Sequence, residues 1–200
     1  GPDNYGLISI ALVYPSMFVS LTDLGLSAVI SRYSTEPSTR REVYVWSGIA
    51  MRTLLAISGG VLVYFMADIF ASLLGRVYIE SLIRILALYT VSSSILSTFY
   101  SAFAGLGRYK VSAFILILQY SLKGVLAITL LLAGLHIYGV ALSYSLAYTI
   151  LVPVFLVLLI RGIKPAVSLS EGVEVLKVAL PLYVAVVCDV FLKPTLDTTL

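Results

Sequence analysis

Histidine and cysteine are almost absent. The 200 residues hold one of each, His136 and Cys188. One cysteine excludes a disulfide scaffold, and one His with one Cys is too few for an ordinary zinc-type centre. Charge is scarce too, at 12% of residues, where soluble domains carry about 25%. That excludes a disordered tail and argues against a nucleic-acid-binding domain, which needs a dense basic face. The net charge of +3 reads instead as loop bias at a membrane. What is abundant is apolar: 60% hydrophobic residues and a mean hydropathy of +1.05. The chain begins at Gly1 with no signal peptide ahead of its first apolar run,. It stops at Leu200 inside another such run. The expectation is therefore a piece of a longer protein.

Six apolar segments are expected to span as helices: about 6–32, 42–67, 79–105, 110–134, 138–161 and a truncated 179–200. A span needs about 20 mostly apolar residues, and a helix satisfies its own backbone in lipid. The strands of a membrane barrel use only about 10 residues, so a barrel is excluded. The fold class is all-α, a polytopic transmembrane helix bundle of about six spans. The longest connection, 162–178, includes an amphipathic piece at about 168–177. There Val173, Val175 and Leu176 oppose Glu171, Glu174 and Lys177, a pattern expected to lie on the membrane surface.

Alternate loops carry the positive charge. Arg32, Arg40, Arg41, Arg108, Lys110, Arg161, Lys164 and Lys177 fall on one side, and only Arg76 on the other. The positive-inside bias places loops 33–41, 106–110 and 162–178 in the cytoplasm. The first segment then runs from outside to inside, so a preceding span is expected if the whole protein starts in the cytoplasm.

Five charges sit well inside apolar segments: Asp23, Arg52, Lys123, Asp189 and Lys193. Each costs roughly 2.5–3.5 kcal/mol at the bilayer centre on insertion scales, so such residues turn to a bundle interior or a wet cavity. Ser16, Ser20, Asp23, Ser27 and Ser31 repeat at helical spacing, giving one polar stripe on a continuous first helix. Ser112, Gln119 and Lys123 align in the fourth segment, and Asp189, Lys193 and Asp197 in the sixth. Arg52 has Gly48, Ala56 and Gly59 around it, which leave the guanidinium room. The candidate substrate-binding residues are thus Asp23, Arg52, Lys123, Asp189, Lys193, Gln119, Ser20 and Ser27. Arg52, Lys123 and Lys193 would form a cationic site if their faces converge. Asp23 with Arg52 reads equally well as a structural pair between helices, and Asp189 with Lys193 as a local one. The ladder Ser93, Ser97, Ser101, Gly105 reads as helix packing. No catalytic residue, metal site or cofactor is expected.

The opening Gly1-Pro2-x-x-Tyr5-Gly6, the run through Asp23-Leu24-Gly25-Leu26-Ser27 and Arg32-Tyr33, "LIRILAL" at 82–88, "GLGRYK" at 105–110 and "LPLYVAVVCDVFLKPTLDTTL" at 180–200 resemble polysaccharide (O-antigen type) lipid flippases. These belong to the multidrug, oligosaccharidyl-lipid and polysaccharide exporter superfamily. The resemblance covers essentially the whole chain. It implies two pseudo-symmetric lobes that alternate access to a central cavity in the cell membrane. This chain would be most of the first lobe, with the first helix and the second lobe missing. The implied substrate is a lipid-linked oligosaccharide bearing a pyrophosphate. Arg and Lys suit its phosphates, and serines, Gln119, Tyr120, Tyr144 and Tyr148 suit its sugar. Membrane lipids are the other expected partner, and no nucleic acid is expected. Three alternatives stand beside this: a multidrug cation antiporter, a membrane-embedded enzyme and a non-transporting structural subunit. The antiporter would favour acids in its cavity, yet bases outnumber acids three to two among the deep charges. The enzyme would need a carboxylate pair or metal site in a sizeable polar loop. The structural subunit leaves the polar stripes unexplained.

Overall fold

A computed structural model describes residues 2–36, 40–73 and 79–197, with side chains from Gly6 to Val184 within those stretches. The described residues form eight helices and no strand. They are α1 (Pro2–Leu21), α2 (Leu26–Thr35), α3 (Arg41–Phe65), α4 (Ala67–Leu73), α5 (Ile79–Gly105), α6 (Tyr109–Leu132), α7 (His136–Gly162) and α8 (Leu169–Asp197). Four of them, α3, α5, α6 and α7, are long and apolar enough to cross a membrane alone. Together α1 and α2 make a fifth, bent by 47°. The expected sixth span falls in α8, whose side chains beyond Val184 lie outside the described residues.

The bundle is built around α5. In its most apolar window 61% of residues are buried, against 11% in α6. Helix α5 packs on α1, α2, α3, α4, α6 and α7. Apolar attraction between helices is weak in lipid, so close approach and interhelical hydrogen bonds have to supply cohesion. Ser145 Oγ donates to the Ile85 carbonyl at 2.8 Å, and Ser92 and Thr149 share a 2.8 Å bond. Ser112 Oγ donates across from α6 to the Tyr100 carbonyl at 3.1 Å. That bond makes Ser112 a packing residue. Gly105 is pressed against α2 so closely that a methyl there would overlap the Ser31 carbonyl.

Two apolar clusters mark the two ends. One gathers Leu26, Val45, Trp46, Phe99, Phe103, Phe155, Ile163 and Val175. The other gathers Leu7, Ala11, Val63, Ile79, Leu82, Leu86 and Ala141. The three arginine- and lysine-bearing connections meet at the first end. There Tyr33 stacks on Tyr44 at 4.6 Å, and the Arg108 guanidinium lies over Gly162. Trp46 Nε1 donates to the Ile163 carbonyl at 3.3 Å, and the Ser168 backbone N–H donates to Ser47 Oγ at 2.9 Å.

Two sequence expectations change here. The piece 168–177 is not a separate surface helix but the opening turns of α8. Val175 and Ala179 are fully buried against α2 and α3. The adjoining connection is pinned to α3, so Val175 meets protein, while Val173 stays exposed. The second change is that the first segment is not one helix. It breaks between Leu21 and Leu26, and the helix runs through Pro15 uninterrupted.

Candidate functional site

The break lies at Thr22–Gly25. Leu24 and Gly25 both adopt left-handed backbone, with φ of 46° and 77°. Glycine accepts this conformation freely, whereas leucine is strained by about 1–3 kcal/mol in it. The regular helix would bond the Asp23 N–H to the Val19 carbonyl. Instead it goes to Ser20 O at 3.1 Å, and the Val19 carbonyl loses its backbone partner, keeping only a long 3.2 Å contact from Thr22 Oγ1. A carbonyl stranded in an apolar bundle is costly. Arg52 of α3 supplies the replacement. Its Nη2 donates to the Val19 carbonyl at 3.0 Å, and its Nη1 donates to Thr22 Oγ1 at 2.8 Å. Its Nε stands 3.4 Å from Asp23 Oδ1, an ion pair without hydrogen-bond geometry. Ser27 Oγ donates to the same carboxylate oxygen at 2.5 Å. Arg52 is 1% exposed and Asp23 28%. The guanidinium is therefore enclosed by its partners, and the carboxylate is the side of the pair that meets open space.

The break is gripped from the other flank as well. A Cβ on Gly25 would meet the Ala179 carbonyl of α8 at 2.8 Å, and one on Gly59 of α3 would meet Thr22 Cγ2 at 2.6 Å.

Beside the break lies a cavity of about 520 Å³, lined by Ser20, Asp23, Ser27, Arg52, Ser97, Tyr100, Ser101 and Tyr183 among others. A second cavity of about 190 Å³ includes Ser93, Gln119 and Tyr148 in its wall. The two share Val19, Ser97 and Tyr100, so they adjoin along α5. Among the expected residues, Asp23, Arg52, Ser20 and Ser27 come together at the larger cavity and Gln119 at the smaller. The single polar stripe does not exist as one helix face, because the 47° bend divides it. Ser20 and Ser27 nevertheless meet at one cavity because the break lies between them.

Lys123 lines neither cavity. Its Nζ sits 4.5 Å from the Tyr144 ring centre and 4.8 Å from that of Tyr120. Each cation–π contact contributes about 0.5–2 kcal/mol, more as water is excluded. Tyr89 packs edge-on against Tyr144 and Tyr148 beside it. Arg52 and Lys123 share no cavity wall: one is enclosed against the helix break and the other is held among tyrosines. The side chains of Asp189, Lys193 and Asp197 lie outside the described residues.

Sequence reasoning missed Thr22, Ser97, Tyr100, Ser101 and Tyr183. The four-residue spacing of Ser93, Ser97 and Ser101 was the available signal. These serines line the cavities, and Gly105 of that ladder serves close packing. Arg84, near the opposite end, pairs with Glu80 at 2.7 Å and lies over the Tyr64 ring at 5.5 Å. Among the described residues no three His, Cys, Asp or Glu side chains cluster. The chemistry on offer is charge, hydroxyl and amide hydrogen bonding, and aromatic stacking.

No curated protein and no solved structure matches the chain significantly. The sequence profile of a family described as "Polysaccharide biosynthesis protein" matches residues 1–198. The chain belongs to that family, and its helices make it a multi-pass membrane protein.

Proposed function

We propose, from the premise of a polysaccharide biosynthesis membrane protein, that the chain is a lobe of a flippase. It moves a lipid-linked oligosaccharide or polysaccharide precursor across the cytoplasmic membrane by alternating access, and it is not an enzyme. The observation that carries this reading is the cavity of about 520 Å³ at the broken span. Hydroxyls from four helices and one carboxylate line it within an otherwise apolar bundle. Such groups are expensive in a membrane unless they meet water or a polar cargo. A glycan head is hydroxyl-rich, and Ser20, Ser27, Ser97, Ser101 and Tyr100 supply the matching donors and acceptors.

The broken span supports the transport part of the reading. A helix interrupted beside a cavity is irregular backbone of the kind tolerated at membrane depth only where protein or water surrounds it. On this reading that end faces the cytoplasm, which the gathering of the basic connections there supports.

The test is export of lipid-linked glycan in cells, normalised to the amount of protein in the membrane. Ser97→Leu with Ser101→Leu fills the cavity with apolar bulk. The expected result is at least a roughly tenfold loss of export at unchanged abundance, the equivalent of about 1.4 kcal/mol of lost cargo binding. Unchanged export in the double variant overturns the cavity's role. In vesicles holding the intact protein, an absence of lipid-linked glycan flipping overturns the flippase reading.

A further inference from the structure

The side of α5 turned away from the cavities has a chemistry of its own. Leu88 and Ser97 are about two and a half helical turns apart, so they point to opposite sides of the helix. On the Leu88 side, α3 and α5 border an open groove of about 370 Å³, within the range of about 300–1,000 Å³ for small-molecule sites. Gly60 lets the two helices close at its floor, where a Cβ would overlap the Val91 side chain. Ile57, Val61 and Leu88 form its walls, each about half exposed. Arg84 and Tyr64 are the polar members of its lining.

The order of groups along this groove is that of a phospholipid. Helix α5 has 27 residues, about 40 Å at 1.5 Å per residue. Centred on a hydrocarbon core of about 30 Å, it projects about 5 Å at each end. Glu80, its second residue, then stands among the head groups. Arg84 starts one turn deeper, with Nη2 2.7 Å from the Glu80 carboxylate and its guanidinium 5.5 Å from the Tyr64 ring centre. Tyrosine is itself a residue of the membrane interface. From the outside inwards the protein offers a carboxylate, a guanidinium and an apolar slot. Phosphatidylethanolamine offers an ammonium, a phosphodiester and acyl chains in the same order.

We propose that this groove binds a phospholipid whose head group ends in a primary ammonium, in the leaflet at the end opposite the basic connections. The phosphodiester accepts from Arg84, the ammonium donates to Glu80, and one acyl chain lies between Ile57, Val61 and Leu88. Charge selects the head group. Arg84 and Glu80 cancel, so the site is neutral and matches a zwitterion. An anionic head group would bring its charge up to the Glu80 carboxylate with nothing to offset it, a like-charge approach that costs energy. A quaternary ammonium has no N–H to donate to Glu80. Arg84 keeps donors for the phosphodiester, because a guanidinium has five N–H groups on three nitrogens and the contact to Glu80 is made by Nη2.

The test uses the intact protein in detergent micelles with three lipids that share dioleoyl chains: phosphatidylethanolamine, phosphatidylglycerol and phosphatidylcholine. Native mass spectrometry reads which lipid is retained, and thermal unfolding reads the stability each confers. Phosphatidylethanolamine is expected to bind about fivefold more tightly than either of the others, the margin of one charge-assisted hydrogen bond in a partly solvated pair. Glu80→Gln removes the ammonium's partner and frees Arg84, so the preference is expected to pass to phosphatidylglycerol. That is a gain of binding, which a misfolded variant does not give. Leu88→Trp fills the slot and is expected to weaken all three lipids while the lipid-free unfolding temperature stays within a few degrees. Should it fail to accumulate, Val61→Trp fills the slot from α3 with the same expectation. Equal retention of the three lipids by the unmodified protein overturns the proposal. So does a preference for phosphatidylglycerol before any substitution, or one for phosphatidylethanolamine that survives Glu80→Gln. Unchanged retention in the slot-filling variant overturns the location. A dimer that this variant dissociates overturns it too, since the groove then holds a second copy of the chain.

Discussion

Arg52 changes meaning between the sequence and the structure. In the sequence it is a cation in a span, equally fit to bind a phosphate or to pair with Asp23. In the structure its two terminal nitrogens are taken by the Val19 carbonyl and Thr22 Oγ1, so the pairing reading describes where it sits. The partner, Asp23, is the group exposed to the cavity. A double-mutant cycle separates the contributions. Removing one partner from a fully buried pair costs about 3–5 kcal/mol. Asp23 is more than a quarter exposed, so the share due to its orphaned charge is smaller. The expectation for Arg52→Ala is a loss of about 2–3 kcal/mol, read as lowered membrane abundance and unfolding temperature. Arg52→Ala with Asp23→Ala recovers part of it, since the double variant has no orphaned charge. Full recovery is not expected, because the Val19 carbonyl is left with only the longer, shared bond from Thr22 Oγ1 at 3.2 Å. No loss in Arg52→Ala overturns the role given to its hydrogen bonds. The pairing itself was legible as a possibility from two opposite charges at similar depth. The capping of a freed carbonyl was not, because nothing in the sequence marks Val19.

At the scale of elements, the helices themselves were the most legible part. Lipid compels every spanning segment to close its own hydrogen bonds, so an apolar run of sufficient length leaves few options. The break in the first span was the least legible. Leu24 and Gly25 stand in an apolar stretch that reads as continuous, and Pro15, the usual suspect for a kink, leaves α1 unbroken. The left-handed turn there is held by neighbours from α3 and α8, so its cause is tertiary. Likewise the amphipathic pattern at 168–177 is real, but amphipathicity does not say whether protein or membrane covers the apolar face. Two glycines test the element packing. Gly25→Ala adds a side chain at positive φ and within 2.8 Å of the Ala179 carbonyl. The expected cost is about 1–3 kcal/mol from crowding and backbone strain together. Gly105→Ala pushes α5 off the backbone of α2 and is expected to cost a similar amount. Gly124→Ala meets open space and is expected to leave the unfolding temperature unchanged. Three equal melting temperatures would mean that the close approaches of α5 and α8 to the first span do not hold it.

For the whole molecule, the sequence separated the loops into two charge classes, and the structure gathers the basic class at one end of the bundle. Which side of the membrane that end occupies is a separate question, answered by labelling. In a Cys188→Ala background, Ser170→Cys near the basic end is expected to resist membrane-impermeant maleimide in intact cells. Ser72→Cys, in α4 towards the other end, is expected to react. The reverse pattern overturns the orientation. The cavity was less legible than the bundle. Its serines are scattered over 80 residues, and only the packing of α1, α2, α5 and α8 around one spot brings them together.

The chain holds a single tryptophan, and it sits where the basic end is stapled shut, its indole N–H on the Ile163 carbonyl. One indole among 200 residues is a built-in optical reporter. Whatever loosens the link between α3 and the segment leading into α8 changes the polarity and hydrogen bonding around that ring. Emission from Trp46 therefore follows opening of this end in real time, with no dye attached and no residue replaced.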